Sequence, residues 1–166
     1  MDDGFAEYVA HRHLRLCRMA YLLTGDWGRA EDLVQTALTK AWQAWRRIEG
    51  NPDPYVYRII VNTHATWWRR SWRGELPVET LPETADPDDR ASAVDDQVAL
   101  WAAVGALSPR QRAVIVLHYF EGRTLTQVAA ILGCSLGAVK SQLGRALTRL
   151  RVDPDIRTLN LEELQR

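Results

Sequence analysis

Leu125 to Arg151 reads LTQVAAILGCSLGAVKSQLGRALTRLR, and its apolar rhythm breaks once, at Gly133, Cys134 and Ser135, before starting afresh. Val128, Ala129 and Leu132 predict one helix by their spacing, and Val139, Leu143, Leu147 and Leu150 predict a second. Gly133 can adopt the left-handed backbone that ends the first helix, and Ser135 can accept the free amide hydrogens that begin the next. Two helices joined by so short a turn form a helix-turn-helix, whose second helix enters the DNA major groove. Lys140, Ser141, Gln142, Arg145 and Arg149 are then left facing outward, with Ser135 at the helix start. Gln and Arg suit bidentate pairing with adenine and guanine. A plain helical hairpin buried in a core has the same periodicity, so charge must separate the two. Between Leu107 and Val152 seven basic residues stand against Glu121 alone, a net of +6. Phosphates attract such a surface and repel carboxylates.

The same segregation runs outward along the chain, although its formal net charge is +0. From Lys40 to Arg73 seven basic residues oppose Glu49 and Asp53, a net of +5, whereas from Glu75 to Asp96 eight acidic residues oppose Arg90, a net of −7. Two basic blocks therefore flank an acidic spacer, which points to nucleic acid. The spacer carries Pro77, Pro82 and Pro87 with little periodic hydrophobicity, and reads as a linker.

Helical periodicity dominates the rest, with no sustained alternation that would predict strands. A first helix is expected from Phe5 to Leu23, ended by Thr24 and Gly25. Asp26 caps a second, whose buried face is expected to comprise Ala30, Leu33, Val34, Ala37, Leu38, Ala41, Trp42 and Trp45. Pro52 and Pro54 enforce a loop, after which Asp53 as N-cap and Pro54 at the first position start a third helix with Val56, Ile59, Ile60, Thr63 and Trp67 inward. A short helix is expected from Asp96 to Ala106. Ser108, Pro109 and Gln111 then begin another through a capping box, and Thr124 with Gln127 repeats that box. The fold class is all-α: two small helical domains joined by an acidic linker, the second with the helix-turn-helix. The expected boundaries are 1–73, linker 74–95, 96–152, and a tail 153–166.

Trp67, Trp68 and Trp72 interleave with Arg69, Arg70 and Arg73, which combines stacking capacity with phosphate-binding charge and suits unpaired DNA. Trp67 is expected in the core, and Trp68 on another face. Catalysis is not expected: His11 and His13 point to different faces of a helix, and no nucleophile or acid-base set joins them. Cys17 and Cys134 have no metal-ligand spacing and read as reduced thiols. No cofactor or metal is expected, and the absence of an apolar run of span length or a basic-then-apolar start implies a cytoplasmic protein.

Three stretches together resemble bacterial extracytoplasmic-function (ECF) sigma factors: AEDLVQTALTKAW (Ala30 to Trp42), DPYVYRIIVNTHATWWRR (Asp53 to Arg70), and Leu107 to Arg151. The resemblance implies a non-catalytic factor that brings RNA polymerase core to promoter DNA. It implies core-polymerase contacts through Glu31, Asp32, Leu33, Gln35 and Thr36. Minus-ten recognition and melting would fall to Asn51, Asp53, Tyr57, Asn62, Trp67, Trp68, Arg69 and Arg70, and the minus-thirty-five element to the helix-turn-helix. The family is commonly held inactive by an anti-sigma factor, a further implied partner. Thr36 stands where many relatives carry an acid, Gln142 often corresponds to an arginine, and Gly137 and Gly144 lie inside the recognition helix, so promoter sequence is not carried over. Two other readings are an autonomous helix-turn-helix regulator acting without polymerase, and a helical module that binds only protein.

Overall fold

The computed structural model describes residues 3–72 and 102–152, all helix and connecting turns without a strand among them. Helix α1 (Asp3–Thr24) buries Leu16, Met19, Ala20 and Leu23, and stops where Gly25 takes φ +72°. Asp26 then caps α2 (Trp27–Ala44), its carboxylate accepting the Arg29 amide at 2.9 Å. The inward face of α2 is Ala30, Leu33, Val34, Ala37, Leu38, Ala41 and Ala44.

Trp42 departs from the expected buried set, being 56% exposed. Each four-residue step rotates a side chain by about 40°, and Leu38 already lies at the edge of the buried face, so Trp42 falls beyond it. Trp45 is half-buried in the 3-10 turn Trp45–Arg47, edge-on to Phe5 at 5.1 Å.

Helix α3 (Asp53–Trp72) begins differently from expectation. Asn51 Oδ1 accepts the Asp53 amide at 3.0 Å, and the first backbone bond runs from the Val56 amide to the Pro52 carbonyl. Asp53 is thus the first helical residue rather than the cap, which frees its carboxylate for tertiary contacts. Val56, Tyr57, Ile60, Val61, Thr63 and His64 are buried, while Trp67 packs partly against the core.

Residues 102–106 are helical, the described end of the helix expected from Asp96; its earlier part lies outside the described residues. Both capping boxes form: Ser108 with Gln111 opens α4 (Pro109–Ile115), and Thr124 with Gln127 opens α5 (Leu125–Leu132). Between them Val116–Phe120 forms a π-turn, closed by the Glu121 amide on the Val116 carbonyl at 3.0 Å. Periodicity gives no hint of this widened turn, which tends to occur at functional positions. Here it carries Glu121 into the interior, 5% exposed.

Gly133 ends α5 with φ +66° and ψ +38°, and the Ser135 Oγ accepts the Ala138 amide at 3.1 Å to begin α6 (Leu136–Val152). A Cβ at Gly133 would meet nothing within 4 Å, so Gly133→Ala suffers backbone strain alone. The expected loss is about 1–2 kcal/mol of stability, read as a lower urea midpoint with an unchanged slope.

Leu16, Met19, Leu23, Leu33, Val56 and Ile60 share one apolar cluster with Val114, Leu117, Val128, Ile131 and Val139. A smaller cluster ties Ala103, Val104 and Leu107 to Ile115, Ala146 and Leu150. The two helical halves therefore pack directly on each other. Cys17 is buried and Cys134 half-buried, both as free thiols. Among the described residues no helix is long and apolar enough to cross a membrane.

Candidate nucleic-acid interface

The outer face of α6 presents Lys140, Ser141, Gly144, Arg145, Thr148 and Arg149 along one shallow groove. Lys140, Ser141, Arg145 and Arg149 are all exposed, and no acid interrupts them. Val139, Ala146 and Leu150 anchor the opposite face in the interior, so the packing dictates which side chains point outward. Gln142 is half-buried and lies off this groove; Ser135 is exposed, its hydroxyl used as the cap. Gly144 has open space at its missing Cβ and leaves a smooth stretch of backbone at the groove's centre.

A second cationic surface lies at the end of α3. Arg69 and Arg70 are exposed, as is Asn62 about two turns before them. Trp68 is 36% exposed, its ring 6.4 Å from that of Trp72, with the Arg112 guanidinium 5.6 Å over it. Trp67 is partly buried, as expected of a core-packed ring.

The start of α3 is arranged otherwise. Asn51 is exposed, but Asp53 is only 3% exposed and Tyr57 fully buried, so in this arrangement neither faces solvent or a DNA strand. Asp53 accepts the Tyr8 hydroxyl at 2.8 Å and pairs with Arg12 of α1 and, at 3.4 Å, Arg123 of the C-terminal half. Tyr57 donates its hydroxyl to Glu121 Oε2 at 2.7 Å, and Arg15 Nε donates to the same oxygen at 3.1 Å. The Arg123 guanidinium sits 5.3 Å over the Tyr57 ring. Burial pushes the Tyr8 hydroxyl up to about 12 and raises that of Tyr57, the latter also through the Glu121 charge. Both phenols are therefore fixed donors at neutral pH.

Two further arginines cross between the halves. Arg112, 4% exposed, donates to the Leu23 carbonyl at the end of α1, and Arg58 donates to the Ala130 and Ile131 carbonyls at the end of α5. Each satisfies helix-end carbonyls that would otherwise lack partners. Sequence reasoning missed Arg12, Arg15, Arg58, Arg112 and Glu121. One signal was available for the last: Glu121 is the lone acid between Leu107 and Val152.

On α2, Glu31, Asp32 and Gln35 are exposed, while Thr36 is half-buried with its hydroxyl on the Asp32 carbonyl at 2.9 Å. Leu33 is 0% exposed and belongs to the core, so it is corrected from a contact residue to a packing residue. Trp42 joins the exposed row of Asp32, Gln35 and Thr39 at alternating three- and four-residue spacing.

The family model for sigma-70 region 2 matches residues 8–74, and that for sigma-70 region 4 matches residues 97–150. The chain is 41% identical to the RNA polymerase sigma-E factor of Streptomyces coelicolor, over 98% of this chain and 95% of that one. It is 32% identical to the ECF RNA polymerase sigma factor SigE of Mycolicibacterium smegmatis, over 87% of this chain and 59% of that one. The chain belongs to the ECF sigma factors. Like the family, it is a factor for transcription initiation that works with RNA polymerase core on promoter DNA; the family is not one of enzymes. Among solved structures, this sigma factor resembles RpoE in complex with the anti-sigma factor NepR from Bartonella quintana. The TM-score is 0.73 at 26% identity, covering 95% of this chain and 99% of that one.

Proposed function

We propose that the two halves of this sigma factor divide the work of initiation. The exposed face of α2, with Glu31, Asp32, Gln35 and Thr36, holds the polymerase core. Trp68, Arg69, Arg70 and Asn62 on α3, with Asn51 in the loop before it, engage the minus-ten element; a ring can stack on an unpaired base while the guanidinium groups hold phosphates. Lys140, Ser141, Arg145 and Arg149 read and grip the upstream element, with Gln142 at the edge of that surface. Asp53 and Tyr57 contribute to minus-ten recognition only if the halves part. The chain itself carries no catalysis, and its place of action is the cytoplasm.

The observation that carries this reading is the acid-free, fully outward basic face of α6 in a chain similar to sigma factors over nearly its whole length. Transcription in vitro with purified bacterial core tests it: adding the chain should confer start-site selection. A footprint on duplex DNA without core would instead favour an autonomous regulator. Arg145→Ala and Lys140→Ala should each weaken promoter complexes formed with core and lower the salt slope by about one. Unchanged slopes in both would remove α6 from the contact.

An inhibitory partner of the anti-sigma type fits the same picture. The structural likeness to a sigma factor solved with its anti-sigma factor covers both halves at once, so a partner that favours this closed arrangement would keep the chain from promoters.

A further inference from the structure

We propose that the stacked rings of Tyr21 and Trp27, with the Glu31 carboxylate one turn along α2, receive an arginine side chain from the surface of polymerase core. The proposal rests on the division of work just described. It adds a contact at the corner between α1 and α2, and names the chemistry of the group received there.

Local sequence fixes the corner. Gly25 turns the chain with φ +72°, Asp26 caps α2, and Trp27 becomes the first residue of that helix. The Trp27 ring lies 4.4 Å from that of Tyr21 at an interplanar angle of 15°, a stack that joins the two helices. Trp27 nevertheless stays 50% exposed. Glu31, four residues on, is exposed on the same side of α2, and among the described residues its carboxylate makes no ion pair. It also lies close to α1. Burial first, and then the Glu31 charge, raises the thiol of Cys17, one turn before Tyr21. Ring pair and carboxylate therefore border one seam.

The surroundings decide what that seam takes. An open indole invites burial, yet Glu31 and Asp32 repel phosphate, so this surface suits protein rather than nucleic acid. An unpaired carboxylate beside a half-open indole calls for a cation. A guanidinium can lie flat on the ring and fork to the carboxylate at once, which an ammonium group cannot. Stacking on Tyr21 holds the indole plane before binding, so little side-chain freedom is lost when the cation arrives. The seam is continuous with the face assigned to core, because Trp27, Glu31, Gln35 and Trp42 project within about 80° of arc on α2. Leu14, 61% exposed, stands two turns from Tyr21 on the same stripe of α1. Leu14, Trp27 and Trp42 give the cation an apolar surround, as aromatic anchors do at the centres of protein interfaces.

Affinity of the full chain for purified bacterial core polymerase, read by anisotropy of a fluorescent label, tests the contact. Trp27→Ala should weaken binding about tenfold, and Trp27→Leu nearly as much, since an aliphatic side chain cannot hold a cation; Trp27→Tyr should stay within about threefold of the wild type. Glu31→Gln tests the same contact at an exposed position without disturbing the ring stack, and should cost about fivefold. Ring and carboxylate grip one group, so the double variant Trp27→Ala, Glu31→Gln should lose about ten- to fifteenfold rather than the roughly fiftyfold of independent contacts. Full binding by Trp27→Leu, or losses that multiply in the double variant, overturns the shared arginine. If Asp32→Ala and Gln35→Ala weaken core binding while Trp27→Ala and Glu31→Gln do not, the corner lies outside the interface and the division of work stands. If none of the four weakens binding, the assignment of α2 to core fails as well.

Discussion

Leu33→Ala will cost about 2–5 kcal/mol of folding stability, the usual range for emptying a filled leucine site. Its side chain on α2 is fully buried in the apolar cluster that also holds Leu16, Met19 and Ile60, which are likewise closed to solvent. Against a total stability of about 5–15 kcal/mol for a domain, such a loss leaves a substantial unfolded fraction at growth temperature. The position lies inside the stretch that resembles the core-binding segment, so loss of transcription in Leu33→Ala would invite the reading that a contact with polymerase had gone. Urea melts separate the two causes. Leu33→Ala should lower the midpoint with an unchanged slope, and activity should recover under cooling or with a stabilising co-solute. Asp32→Ala and Gln35→Ala, on the exposed face, should leave the midpoint within about 0.5 kcal/mol and weaken core binding at every temperature. A Leu33→Ala chain that melted like the wild type would refute the packing.

Much of the fold is written locally, and those parts were legible. The boxes at Ser108 and Thr124, the left-handed Gly133 and the Ser135 cap each depend on residues within one turn of each other, and all form. The outward set Lys140, Ser141, Arg145 and Arg149 follows from helical period once Val139, Leu143, Leu147 and Leu150 are placed inward. Periodicity failed where its phase drifts, as at Trp42, and where two halves meet. Asp53 looks like a helix cap by position, yet its carboxylate is claimed by Arg12 and Arg123, the second of which comes from the other half. Nothing within one turn of Asp53 could signal that. The π-turn is hidden for the same reason, since it serves to seat Glu121 against Tyr57 and Arg15, residues of the other half. The acidic linker expected over 74–95 falls on residues outside those described.

Acid will loosen this protein through one buried imidazole. His64, 6% exposed on α3, is held down to about 4 by burial first, then by the cations of Arg112 from α4 and Arg29 from α2. Arg112 itself is pushed down to about 10 by burial, still far above neutrality, so it remains a cation wherever the imidazole titrates. The unfolded imidazole takes up its proton near the ordinary 6.5, the folded one only near 4, so between those values the unfolded chain binds more protons. Stability contributed by the neutral ring is therefore complete above about pH 6.5 and declines as pH falls towards 4. The separation of the two values corresponds to about 3 kcal/mol at most. Carboxylates also titrate near the lower end of this range, and comparison with His64→Gln cancels their share. Urea midpoints measured from pH 7.5 to 4.5 should fall more steeply for the wild type than for His64→Gln, with the curves converging on acidification. Parallel curves would mean that the folded imidazole protonates as freely as the unfolded one. Because Arg112 belongs to the C-terminal half, part of the restraint on His64 is supplied across the contact between the halves.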